Sequence, residues 1–146
     1  MQHDEKDLWG VQGDGGVLME IDHIGIAVKA LKDSGGRFSE MLGEEAHEKV
    51  VEREGVKVAV FEESRIELLE PLNTDNSMAR FIERRGEGIH HIALKVYDMD
   101  RKIDELRTLG FSFTADTPSV GAEGRRIIFI HPRSTGGVLV ELVEGD

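Results

Sequence analysis

The chain has 146 residues, a length that suits one domain, and 39% are hydrophobic, enough for a core and too many for a disordered chain. A formal net charge of -11 argues against general attraction to nucleic acid or to an anionic membrane, and no apolar run is long enough to span a bilayer. There is no cysteine, which excludes disulfides, thiolate ligands and a cysteine nucleophile and fits a cytoplasmic protein.

Residues 1–18 are acidic and glycine-rich, lack the apolar centre of a signal segment, and read as a poorly ordered leader. A strand pattern runs from Ile21 to Val28. A helix is expected over Leu31–Gly43, with Leu31, Phe38, Met41 and Leu42 apolar and Gly43 as its C-terminal cap. Gly35 and Gly36 weaken it by about 1 kcal/mol each relative to Ala. Two or three short antiparallel strands are expected over residues 50–71, ended by Pro71. Residues 73–85 form a connector whose short helix starts near Thr74–Asn76. A second strand pattern, HHIALKV, covers residues 90–96. The next helix, residues 98–110, puts Met99, Ile103, Leu106 and Leu109 on one face and is capped by Gly110. After a turn at Gly121–Gly124 come two strand patterns, residues 124–132 and 137–144.

The two halves repeat each other. DHIGIAV aligns with HHIALKV, which puts His23 over His91. RIELLEP aligns with LVELVEG, which puts Glu67 over Glu141. Each half therefore reads strand, helix, then about three strands, with one His in its first strand and one Glu in its last. Alone, each His reads as a hydrogen-bonded core residue and each Glu as the solvent face of a strand. Their joint occurrence at equivalent positions favours convergence on one point. Two His and two Glu make a mixed nitrogen and oxygen set, which suits Co, Ni, Zn, Mn or Fe rather than Ca or Mg. Such an ion stabilises negative charge on a carbonyl oxygen, and a Glu beside it can move a proton at carbon.

Strand alternation puts His91 and Ala93 on one face and His90 and Ile92 on the other. His91 is the partner of His23, so His91 is the expected ligand. His90 is then a supporting residue behind it, or only a satisfied polar group. Arg84–Arg85 and Arg125–Arg126 are basic pairs that read as solvated surface or as phosphate contacts. No glycine-rich nucleotide loop, calcium loop or nucleophile elbow is recognisable.

From Ile21 to the C-terminus the chain resembles the vicinal oxygen chelate superfamily, and within it the methylmalonyl-CoA epimerases. The segments that carry the resemblance are IDHIGIAV, IELLEPL, GEGIHHIALKV and IIFIHPRSTGGVLVEL. It implies an α+β fold of two βαβββ modules forming a cupped, mostly antiparallel sheet around a metal site. The implied organisation is a leader (1–18) and one domain (19–146). Module one covers about 19–72, a connector about 73–88 and module two about 89–146. The implied ligands are His23, Glu67, His91 and Glu141, holding one divalent ion, Co first and otherwise Ni, Zn or Mn. The implied reaction epimerises carbon 2 of methylmalonyl-CoA through a metal-stabilised enolate, in a homodimer that binds a CoA thioester and neither nucleic acid nor membrane. Glu141 resembles the base on one side. Some members carry a second carboxylate where this chain has Val58, so Glu67 is expected to act as the second base. Arg125, Arg126 and Arg133 are the candidate substrate contacts. A glyoxalase I type lyase, acting on a glutathione hemithioacetal, is the alternative activity. An iron-dependent dioxygenase or a drug-sequestering protein of the same fold fits the four-residue set less well.

Overall fold

The computed structural model describes residues 18–121 and 123–145. The expected leader, apart from Leu18, lies outside the described residues. Eight strands and three helices follow one another as β1 (Glu20–Ala27), α1 (Leu31–Leu42), β2 (His47–Val51), β3 (Val56–Phe61), β4 (Ile66–Pro71), α2 (Ser77–Arg85), β5 (Gly88–Val96), α3 (Met99–Thr108), β6 (Ser119–Val120), β7 (Arg126–Ile130) and β8 (Val140–Glu144). They make one curled half-barrel sheet in the order β2-β3-β4-β1-β5-β8-β7-β6. The order is two equal halves meeting at the antiparallel β1–β5 pair. In each half the first strand lies parallel to the last, β1 with β4 and β5 with β8, and every other pairing is antiparallel. The repeat read from the sequence is thus a repeat of the fold.

Alternation divides the apolar residues between the two faces. Ala59, Phe61 and Leu68 pack with the region around α1, joined by Phe38 and Leu42. Ile128, Ile130 and Leu142 pack under Met99, Ile103 and Leu106 of α3. The residues between them, Val58, Leu69, Ile127, Phe129 and Val143, line the inner cavity instead. Helix α2 closes one end of that inner face, with Met78 and Ile82 against Ala27, Val56, Val58 and Leu69.

Helix ends follow the local signals. Gly43 turns left-handed at φ 69° and donates its N–H to Ser39. The Asn76 side chain caps α2 by accepting the Ala79 N–H. One expectation shifts at α3. The helix ends at Thr108, so Leu109 is 38% exposed instead of continuing the buried face, and Gly110 carries the positive φ of the turn.

The β1–β5 seam is not regular. His23 pairs with Ala93 and Gly25 with His91, but two register shifts leave Asp22 without a partner in β1 and His90 without one in β5. Each is the residue just before a repeated histidine, so the two bulges are themselves related by the repeat. The strict alternation expected for His90 and His91 therefore fails at the doublet, because a bulge inserts an extra residue there.

Each repeated histidine also faces a small residue. A Cβ placed on Gly25 would sit 2.2 Å from Cε1 of His91, and the partner across from His23 is the fully buried Ala93. We predict that Gly25→Ala displaces the His91 ring and costs about 1–3 kcal/mol through overpacking. Thermal unfolding would show it as a Tm several degrees lower; an unchanged Tm would mean that the ring does not need the bare backbone.

Candidate metal centre

The bulged seam and the two parallel strands beside it bring three side chains to one point. Among the described residues, donor atoms of His23, His91 and Glu141 all lie within 4.8 Å of one another. The two Nε2 atoms are 3.2 Å apart, and Oε1 of Glu141 is 3.3 Å from Nε2 of His23 and 3.2 Å from Nε2 of His91. Three atoms that would each hold a tetrahedral ion at its usual 2.0–2.1 Å stand about 3.3 Å apart, so this near-equilateral triangle has the size such an ion requires. All three residues are buried, at 8%, 6% and 6% exposure. Burying this set is costly unless the charges are matched, by a proton or by a cation.

Each ring is held from behind by its bulge residue. Nδ1 of His23 is 2.8 Å from Asp22, and Nδ1 of His91 is 3.0 Å from Nδ1 of His90. The carboxylate of Asp22 is held in turn by both Nη atoms of Arg125, at 2.8 and 2.9 Å. Burial works against its charge, yet His23 and Arg125 hold its carboxyl far below the usual carboxylate range. Asp22 is therefore an acceptor for an Nδ1–H of His23, so that the neutral ring would turn the lone pair of Nε2 toward the triangle. Burial, followed by the charge of His91, pushes His90 down to about 4, so His90 is neutral and can accept the Nδ1–H of His91 in the same way. The His90 ring also packs edge-on against Phe81, with centroids 4.7 Å apart.

The charged groups inside the cup act strongly on one another. Burial lowers the pKa of His23, but Asp22, Glu141 and the charge of Glu67 override it and push the ring up to about 10. Burial raises Glu141, but hydrogen bonds from His23 and His91 hold it down to about 2. Without an ion, a proton on His23 takes the place of the cation. Glu67 stands apart from the triangle, with Oε2 3.5 Å from Nδ1 of His23, in the same cavity. Burial raises its pKa, His23 opposes the rise and Glu141 adds to it.

The structure separates the three candidate arginines. Arg125 lines the cavity. Arg126 belongs to the other side of the sheet, forked onto Glu144 at 3.1 and 2.9 Å and bonded to Asp100 of α3 at 3.3 Å, so it does not reach the cavity. Arg133 is exposed on a short turn after β7 and is not among the cavity-lining residues. Sequence reasoning missed Glu54 and Glu123, which also line the cavity, and it missed Asp22 as a partner of His23. Adjacency to His23 was the one available signal for Asp22; its bulge was not readable. Besides the cavity, a groove of about 350 Å³ opens past Asp22, His23 and Glu67 and carries Arg65, Lys95 and Arg125.

Comparison with known proteins agrees with this architecture. The model of the glyoxalase/bleomycin resistance protein/dioxygenase superfamily matches residues 22–129. YqjC of Bacillus subtilis is 39% identical over 130 residues, covering 87% of this chain and 93% of that protein. The crystal structure of methylmalonyl-CoA epimerase from Mycobacterium tuberculosis is 36% identical, with a TM-score of 0.79 over 86% of this chain and 87% of that one. A methylmalonyl-CoA epimerase solved in complex with methylmalonyl-CoA and NH4+ is 35% identical, with a TM-score of 0.80 over 88% and 96%. The chain belongs to the glyoxalase/bleomycin resistance protein/dioxygenase superfamily, among relatives that include the methylmalonyl-CoA epimerases.

Proposed function

We propose that this chain interconverts the two epimers of methylmalonyl-CoA by proton transfer at carbon 2, at a divalent ion held by His23, Glu67, His91 and Glu141. The donor triangle of 3.2–3.3 Å edges carries the reading. Its nitrogen and oxygen donors suit a borderline ion; the resemblance puts Co first, then Ni, Zn or Mn. When bound, the ion supplies a positive charge beside the thioester oxygen, where negative charge develops as the proton leaves.

The chain's own residues do the rest. Asp22 and His90 fix the tautomers and aim of His23 and His91. Two imidazoles keep Glu141 ionised, so it can take the carbon 2 proton and return it. Glu67 is a fourth donor, from the strand parallel to β1. The cations of the adjoining groove, Arg65, Lys95 and Arg125, offer partners for the substrate's carboxylate or phosphates. The reading carries a homodimer and a cytoplasmic setting with it; among the described residues no helix is long and apolar enough to cross a membrane.

Three outcomes test this reading. In heavy water the Co-loaded protein is expected to wash deuterium into carbon 2 of methylmalonyl-CoA while converting one epimer to the other, followed by mass spectrometry. Activity only on a glutathione hemithioacetal would point to the glyoxalase I type lyase instead. His91→Ala is expected to lose the ion, whereas His90→Ala keeps most of it, measured as metal per chain; equal losses would mean that His90 is itself a ligand.

The third outcome concerns pH. The ion needs neutral His23, but in the ion-free protein this ring binds its proton up to about pH 10 instead of 6.5. The charged ring stabilises the ion-free fold fully below pH 6.5, and that contribution is lost as pH rises toward 10. Ion binding displaces the proton, so between pH 7 and 9 the apparent ion affinity should rise about tenfold per pH unit, with one proton released per ion. Calorimetry in buffers of different ionisation heat reads this directly, and a flat profile would contradict it.

A further inference from the structure

An epimerase needs acid/base groups on both faces of carbon 2, and the wall opposite Glu141 lacks the expected one. Val58 occupies the position in β3, 1% exposed and apolar. The sequence alone offers Glu67 as the substitute. In the structure, however, Glu67 is one strand from His23, and its Oε2 lies 3.5 Å from Nδ1, the nitrogen that faces Asp22, so its carboxylate is tied to the back of that ring.

The inner cavity has another carboxylate. Glu54 lines it together with Val58, Glu67, His91 and Glu141. It is the last residue of a single 3-10 turn, Glu52–Glu54, that joins β2 to β3, so it stands on the rim two residues before β3 begins and on the module-one side, across the sheet order from Glu141 on β8. That turn is pinned from three directions. Gly55, left-handed at φ 69°, closes it, and its carbonyl accepts Asn76 Nδ2 and the Leu72 N–H, both at 2.8 Å. A Cβ at Gly55 would lie 2.6 Å from Asn76 Nδ2, so the cap of α2 fits against the bare backbone. Across the mouth of the cup, Arg53 donates to the Val120 carbonyl at 3.0 Å and Lys49 pairs with Glu123 at 2.7 Å. The β2–β3 hairpin of module one is thus tied to β6 and Glu123 of module two, and Glu54 lines the cavity beside these contacts.

We propose that Glu54 is the second acid/base of the epimerisation, replacing the residue lost at Val58. The proposal rests on the epimerase reading. Glu141 takes the carbon 2 proton, and the C–H electron pair moves onto the thioester oxygen. Protonated Glu54 delivers its proton to the opposite face as the pair returns to carbon. One turnover leaves Glu54 ionised and Glu141 protonated, which is the starting state for the reverse epimer. Glu54 itself is exposed at the rim; partial desolvation raises its pKa, the charge of Glu141 adds to that, and His91 opposes it.

The test uses Co-loaded full-length protein and each epimer of methylmalonyl-CoA separately, in heavy water. Glu54→Gln is expected to keep wild-type metal content and to exchange deuterium into one epimer, while conversion to the other falls by at least about 100-fold. Glu54→Asp should recover part of the conversion. Glu52→Gln, on the same turn but exposed and outside the cavity lining, should keep converting. Conversion by Glu54→Gln at the wild-type rate, or an equal loss in Glu52→Gln, would overturn the role of Glu54 and leave the epimerase reading intact. A wild-type protein that neither exchanges nor converts would overturn both.

Discussion

The site depends on how closely two histidines on antiparallel neighbours can approach. His23 and His91 lie on paired strands, the His91 ring sits over Gly25 of the partner strand, and the two Nε2 atoms are 3.2 Å apart. That is possible because the residue facing His91 is Gly25 and the residue facing His23 is Ala93. A larger residue at either place would separate the nitrogens and open the triangle with Glu141. The glycine costs strand stability, and the fold offsets it by placing the seam at the centre of an eight-stranded sheet packed under α1 and α3.

The bulges solve a second problem. A metal-facing imidazole needs a partner on its other nitrogen, or its tautomer and angle are free. A regular strand sends the preceding residue to the opposite face, where it cannot serve. By adding one residue to each strand, the seam lets Asp22 and His90 touch the rings they precede. The two supports differ chemically. Asp22 is charged and backed by Arg125, and it helps His23 keep a proton when no ion is present. His90 is neutral and packed on Phe81, so it offers an acceptor without adding charge. The cluster is thereby asymmetric inside a symmetric fold.

Much of this is legible in the amino-acid sequence. The repeat gave the strand–helix–strands order, the pairing of His23 with His91 and the equivalence of Glu67 with Glu141, because hydrophobic alternation and chemical repetition are both properties of sequence. The choice of His91 over His90 as the inward ring agrees with the triangle. The bulges were not legible, since an inserted residue changes register without leaving a composition signal, and so the strict alternation assumed for the doublet was wrong. Three arginines near the last strands looked alike in sequence; only the register shows that Arg125 lines the cavity while Arg126 is spent on Glu144 and Asp100. Glu54 was invisible for another reason: it sits in a turn, and its place over the cavity is set by contacts with residues 20 to 70 positions away.

The acidic character of the chain gains meaning at this site. Asp22, Glu54, Glu67, Glu123 and Glu141 crowd one end of the cup around two imidazoles and Arg125. A bound cation relieves that crowding, and the geometry is sized for one. X-ray absorption spectroscopy of the Co-loaded protein is the most direct test. One ion per chain is expected, with two imidazole nitrogens and carboxylate oxygen at about 2.0–2.2 Å. A shell of oxygen alone, or an ion that His91→Ala does not remove, would contradict it.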